Sequence, residues 1–374
     1  MPARPQAGPG RAAGPLVGLR VVEFESIGPG PHCAMLLADL GAEVVRIGRE
    51  GGNGWPNPIM DRGRAPVGVN IRSDEGREFA LETCDLADVV IEGMRPGVME
   101  RLGLGPEVML ARNPRLIYGR MTGWGQEGPL ARVAGHDINY IALAGALAPM
   151  GRPGEPAPVP LNLVGDFGGG SMFLAFGIMA ALWERERSGL GQVIDAAIVD
   201  GVSSMMTMFS GLSPRGFSLD RAGNQLGGAA PYYRSYLCAD GREITVGAIE
   251  PRFYAELLER IGAPADMREG QDDRATWADR SGRLAALFLT RTAAEWQDLL
   301  EGTDVCFAPV LDPHEAMQHP HNKARGTFVD VDGLTQPAPA PRFSGSALPV
   351  PSAAVAARAH EVLSDWSAAA ADLR

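Results

Sequence analysis

Cysteine is scarce: Cys33, Cys84, Cys238 and Cys306 are the four in 374 residues, and none has a neighbour at zinc-site spacing. That scatter excludes a disulfide framework or a cysteine metal knuckle as the source of stability, and it fits a reduced cytoplasmic enzyme. Long hydrophobic runs are also missing. The most apolar stretch, SMFLAFGIMAALW, reaches 13 residues before Glu184, short of a bilayer span. The opening MPARPQAGPGRAAGP carries basic residues without an apolar signal core, so stable membrane insertion is not expected. Positive charge is in deficit, 34 Lys and Arg against 45 Asp and Glu, for a formal net charge of −11. A general nucleic-acid-binding role is excluded on that balance, although a local group of arginines can still hold phosphates. No internal repeat is visible. What is present is a hydrophobic fraction of 45%, enough to bury a sizeable core and to divide into two domains. The 48 glycines and 30 prolines imply many turns between periodic segments.

The first half alternates. GLRVVEF reads as a strand, PHCAMLLADLG as a helix ending at glycine, and EVVRI as a returning strand, a βαβ opening. APVGVNI, ADVVIEG and RLIYGRM read as further strands, with SDEGREFALETC as a capped helix and PEVMLARN as a short one. MRPGVMERLGLG is placed at the sheet edge. The loop after the first strand offers Gly28-Pro29-Gly30-Pro31-His32-Cys33, where the dinucleotide fingerprint requires a third glycine. Its prolines remove backbone donors, so a nucleotide-like fold is expected without a conventional NAD site. GHDINYIALAGALA, residues 135 to 148, has helical spacing, as does the stretch from Gly168 to Arg187. GQVIDAAIVDGVSSMMTMF supplies a strand and a helix, and PYYRSYLCADGREITVGAIE a hairpin around Asp240-Gly241 that opens a smaller mixed region.

Two helix entrances carry chemistry. GHDINY puts His136 and Asp137 at one, and LVGDFGGG puts Asp166 at the other. Helix entrances expose N–H donors able to stabilise negative charge, and the glycines after Asp166 would let a ligand approach the backbone. Capping and turn formation explain the same residues without any reaction, and the sequence does not say whether the entrances meet.

RVVEFESIGPGPHCAMLLADLGAEVVRI, GMRPGVMERLGLG, RMTGWGQEGP, AGHDINY and LVGDFGGG together resemble the α-methylacyl-CoA racemases of the CaiB/BaiF-like family III CoA-transferase group. Likeness continues through DAAIVDG, GAAPYY, GAIEPRFY and CFAPVL, from about residue 15 to 345. The resemblance implies an α/β fold, with a Rossmann-like large domain and a smaller α+β domain, in an interlocked homodimer. It places the CoA-binding large domain at 15–200, a connector at 201–230, the small domain at 231–325 and a returning C-terminal segment at 326–374. It implies racemisation at C2 of 2-methylacyl-CoA thioesters without a metal or redox cofactor, CoA arriving as part of the substrate. His136 and Asp166 match the acid/base pair, His136 acting on the S isomer and Asp166 on the R isomer. The thioester carbonyl makes the C2 proton acidic, and two opposed groups can take it from one face and return it to the other. Glu250 matches the acidic residue that orients the histidine, or is a solvated surface residue. Asp137 organises the entrance, where local amides can face the enolate oxygen.

The same resemblance assigns CoA contacts. Arg49 and Arg101 match phosphate-contacting positions, and Arg72 and Arg95 are either further contacts or solvated surface. Gly93-Met94 forms either a passage for CoA or a plain turn, and Ile27 and Met121 line the acyl channel or fill core. Arg62, in MDRGR, contacts CoA, another loop or a second subunit. Cys306 reads as a core residue. Two departures stand out: GAAPYY replaces the usual GGAPYY, and Gly63 replaces the asparagine of the family's arginine-bearing loop. The alternatives are a family III CoA-transferase, using Asp166 to form acyl intermediates between carboxylic acids, and a noncatalytic acyl-CoA-binding protein. His136 separates the first from a racemase.

Overall fold

The structure, a computed structural model, describes residues 13–371. It opens with β1 (Arg20–Phe24), α1 (Pro29–Asp39), β2 (Glu43–Gly48), β3 (Arg64–Gly68), α2 (Asp74–Asp85) and β4 (Val89–Glu92). Next come α3 (Val98–Arg101), α4 (Pro106–Arg112), β5 (Ile117–Thr122), α5 (Asp137–Leu143), a π-helix (Leu163–Ser171), α6 (Met172–Ser188), β6 (Val193–Ala197) and α7 (Ile198–Met205). All six strands pair in parallel in the order β3-β2-β1-β4-β5-β6. β1 and β4 are buried along nearly their whole length, as strands covered on both faces must be. Local sequence explains the helices. Pro29 and Pro31 open α1, and the Ser73 side chain accepts the Gly76 N–H to start α2. The turn leading to α3 follows β4 in the middle of the sheet, where edge placement had been expected.

The chain divides into two units. The first takes the residues up to Ala144, Pro160–Met205 and everything from Ala324 onward; the second takes Gly145–Val159 and Met206–Lys323. The stretch 145–159, expected inside the large domain, clusters with the second unit. That unit holds α8 (Thr207–Leu212) and an antiparallel sheet of β7 (Tyr233–Leu237), β8 (Glu243–Gly247) and β9 (Phe307–Pro309), with Gly241 at positive φ in the hairpin turn. α9 (Pro251–Arg260), α10 (Trp277–Phe288) and α11 (Ala293–Leu300) close over it around Tyr232, Tyr254, Trp277, Phe288 and Trp296. α12 (Pro313–Gln318) and α13 (Pro320–Arg325) follow.

The chain then contributes the hairpin β10 (Phe328–Val331) and β11 (Leu334–Pro337), and α14 (Ala359–Ala371), to the first unit. Trp366 on α14 is buried, donating its indole N–H to Glu43 Oε1 at 2.6 Å with the Arg20 guanidinium over its ring.

The π-helix and α6 form one helical run of 26 residues, Leu163–Ser188, long and apolar enough by length and composition to cross a bilayer. This corrects the shorter run inferred from the sequence. Leu174, Ile178 and Ala181 on one side of α6 are nevertheless core residues of the first unit.

Candidate active site

The sheet order reverses direction between β1 and β4. In open parallel sheets, ligands bind in the crevice beyond the carboxyl ends of the strands at such a point. Here two adjoining cavities, about 1070 Å³ and about 870 Å³, open there within the first unit.

His136 and Asp166 both line the larger cavity. His136 precedes α5 in extended backbone, and its own N–H donates to Asn139 Oδ1 at 3.0 Å, which fixes the helix start. Asp166 sits on the π-helix, a form of backbone that is rare and concentrated at functional sites. The two entrances do meet. Asp137, buried at the first position of α5, accepts the Asp166 N–H on Oδ2 at 2.6 Å. Gly165 makes this possible, because a Cβ there would lie 2.3 Å from that same oxygen. The Asp137 side chain therefore clamps one helix entrance to the other and is turned to the protein. Its amide, at the first helical position, has no intrahelical acceptor.

The Asp166 carboxylate accepts from Asn162 Nδ2 at 3.2 Å, and Gly28, at positive φ, leaves room beside it: a Cβ there would be 3.1 Å from Oδ2. Burial, reinforced by the charge of Asp137, holds the Asp166 carboxyl above the ordinary Asp range, partly offset by the Asn162 hydrogen bond and the charge of His136. A carboxyl shifted upward is easier to keep protonated, which suits a group that must give a proton as well as take one.

The glycines after Asp166 serve packing. A Cβ on Gly169 would meet Val202 Cγ2 at 2.5 Å, one on Gly170 would meet Pro29 Cβ at 3.0 Å, and one on Gly201 would stand 1.9 Å from the Gly169 carbonyl oxygen. The run lets the π-helix press against α7 and α1; it does not open backbone to a ligand.

His32, on α1, supports the same element. Its Nδ1 and Ser171 Oγ are 2.7 Å apart, and its ring stacks on Phe167 at 4.4 Å. Burial lowers its pKa, with the charge of Arg62 acting in the same direction, so it favours the neutral imidazole. Trp124 and Tyr140 frame His136, edge to face at 4.7 Å, with the Tyr140 hydroxyl donating to the Gly135 carbonyl. Gly123 is obligatory there, since a Cβ would overlap the Tyr140 ring. None of these supports was expected from the sequence. Asn162 had a readable signal, four residues before Asp166 in LNLVGD and so one turn away; His32 had none.

The structure distributes the expected CoA contacts unevenly. Arg49 and Arg72 line the smaller cavity, Arg95 and Met121 the larger, and Ile27, Gly93 and Met94 both. The Glu92 carboxylate, wholly buried, accepts the Met94 N–H at 2.6 Å and the Arg120 Nε–H at 2.9 Å, fixing that turn. Arg101 is exposed at the end of α3 and on neither wall. Arg62 lines neither cavity, which corrects its placement as a CoA contact and leaves another of the three contacts expected of it. It is buried, makes a two-pronged pair with Asp39, and donates to Gln336 Oε1 and the Pro337 carbonyl, both at 2.8 Å. Its contact is another loop, the C-terminal hairpin. Glu250 is exposed at the start of α9 in the second unit, while His136 belongs to the first. Cys306 is exposed, at positive φ, where a core position had been expected.

Residues 16–357 match the model of CoA-transferase family III. The chain belongs to that family. Within it, the chain is 45% identical over 331 residues to the alpha-methylacyl-CoA racemase of Mus musculus, covering 88% of this chain and 86% of that protein. Identity to the Homo sapiens protein of the same name is 43% over 330 residues, covering 87% and 86%. A family structure from Brucella suis, a CAIB/BAIF protein, superposes with a TM-score of 0.78 at 28% identity, covering 97% of this chain and all of that one. The parallel-sheet α/β fold is thus the family's.

Proposed function

We propose that the protein interconverts the R and S forms of 2-methylacyl-CoA thioesters. The observation that carries this is the presence of an imidazole and a carboxyl with raised proton affinity on the wall of one cavity. One group takes the C2 proton, and the C–H electron pair moves into the C1–C2 bond while the thioester oxygen becomes an enolate oxygen. The other group then delivers a proton to the opposite face as the electrons return. His136 serves as base for the S isomer and Asp166 for the R isomer. The amide of Asp137 is the donor assigned to the enolate oxygen. CoA enters as part of the substrate, its nucleotide end toward Arg49 and Arg72.

The relatives bearing the racemase name support this reading over the transferase one, and so does His136: acyl transfer through Asp166 needs no second proton-transfer group facing it. The working assembly is an interlocked homodimer, a reading supported by the exposed apolar residues Met172, Phe176 and Trp183 along the outer side of α6.

The test incubates each separated isomer of a 2-methylacyl-CoA in deuterated water. Growth of the opposite isomer with deuterium at C2 is expected. Transfer of CoA to a free acid without C2 exchange would instead establish the transferase. His136→Ala and Asp166→Ala should each lower both directions by about 10²–10⁴-fold, since each turnover uses both groups.

A further inference from the structure

The two cavities share part of their walls, and that shared part contains an exposed indole. Trp55 lies in the loop joining β2 to β3; it is 79% exposed and lines both cavities, as does Ile27, at 60%. The loop is not slack. Asn53 donates through Nδ2 to the Ser26 carbonyl at 3.1 Å and accepts the Trp55 N–H on Oδ1 at 2.9 Å. Beyond the indole, Asn57 Oδ1 accepts the Met60 N–H at 3.0 Å, and Asp61 pairs with Arg46 and Arg64. The indole is therefore held out over the cavities from a loop braced on both sides. Apolar and aromatic surface left in water is the surface that gains most from being covered.

The chemistry of the two cavities identifies what covers it. The smaller cavity offers the guanidinium groups of Arg49 and Arg72, which suit phosphates; the larger offers His136 and Asp166, which suit the acyl end. In an acyl-CoA, the portion between those ends is the uncharged pantetheine arm, with its geminal methyl groups and two amides. We propose that Trp55, with Ile27, forms an apolar clamp on the pantetheine arm where it passes from one cavity to the other. This deepens the acyl-CoA reading and rests on it.

Calorimetric titration of the whole protein with CoA, pantetheine and adenosine 3′,5′-bisphosphate separates the parts of the ligand. Trp55→Ala is expected to weaken CoA and pantetheine by about ten-fold. Affinity for the bisphosphate should stay within about two-fold, because that piece never reaches the indole. Trp55→Phe, which keeps a ring, should restore most of the CoA affinity and remove part of the tryptophan emission change that CoA and pantetheine produce. CoA binding unchanged in Trp55→Ala would overturn the clamp. Equal losses for CoA and the bisphosphate would also overturn it, by placing the indole on the nucleotide or showing a disturbed loop. Failure of the wild type to bind CoA at all would overturn the acyl-CoA reading itself, and the clamp with it.

Discussion

In the proposed reaction, Asp166 works through the groups that set its proton affinity. Burial and Asp137 raise it, and the Asn162 amide restrains the rise by favouring the charged form. Asn162→Ala should raise it further. For the isomer on which Asp166 acts as base, the acid limb of kcat/KM moves to higher pH; for the other, the alkaline limb moves up. Profiles measured on both isomers check this, and no movement in either would separate Asn162 from the proton transfer proposed for Asp166. The same shift bears on stability. A carboxyl whose folded value exceeds the unfolded one binds protons better in the native state, so stability falls as pH rises through that interval. Asp166→Asn should then melt higher than the wild type at neutral pH, by roughly one or two degrees, and lose the gain below the ordinary carboxylate range. Arg62 offers the converse, a charge with a structural task. Arg62→Ala leaves Asp39 buried without its partner and should cost about 3–5 kcal/mol in denaturant unfolding. CoA affinity should hold within about two-fold, since the side chain is on neither cavity wall. The resemblance located an arginine in the right loop, but its partner Gln336 lies 274 residues along the chain, a pairing that no local pattern encodes.

At the scale of elements, strands and capped helices were legible because their signals are local: apolar runs between turn residues, Ser73 before α2, Asp240-Gly241 in the hairpin. The departures arise where tertiary packing sets the backbone. α5 stops at Leu143, short of the apolar pattern that continues to residue 148, and Gly145 at positive φ follows it. The π-helix is invisible to periodicity, since widening a few turns changes hydrogen-bond register and leaves composition alone. Its glycines were conspicuous and were read toward a ligand, whereas their neighbours are α7 and α1. Gly201→Ala tests that assignment, because the added Cβ meets the backbone oxygen of Gly169 and one of the two elements has to move. Unfolding measurements should show a loss of about 1–3 kcal/mol. If the fit also positions Asp166, kcat should fall more than KM rises. Normal kcat in a destabilised variant would restrict the glycine pair to stability.

For the whole molecule, the unresolved balance is on the outer side of α6. Met172, Phe176 and Trp183, at 52%, 74% and 70% exposure, fall at helical spacing on one face, opposite Leu174, Ile178 and Ala181 in the core. A continuous apolar stripe of this kind marks a surface that is covered in the working state. Two occupants satisfy it: a second copy, as the proposed homodimer requires, or a bilayer, for which the run has sufficient length and hydropathy. The buried inner face favours the copy, since a membrane-crossing helix would have to give up its packing on the sheet. Phe176→Glu with Trp183→Glu puts two charges on the stripe while leaving that inner face intact. The wild type should sediment as a dimer and the double variant at about half its mass, because a carboxylate facing an apolar partner has no counter-charge. A monomeric wild type that floats with lipid vesicles, and a variant that does not, would reverse the assignment and turn this face toward a membrane.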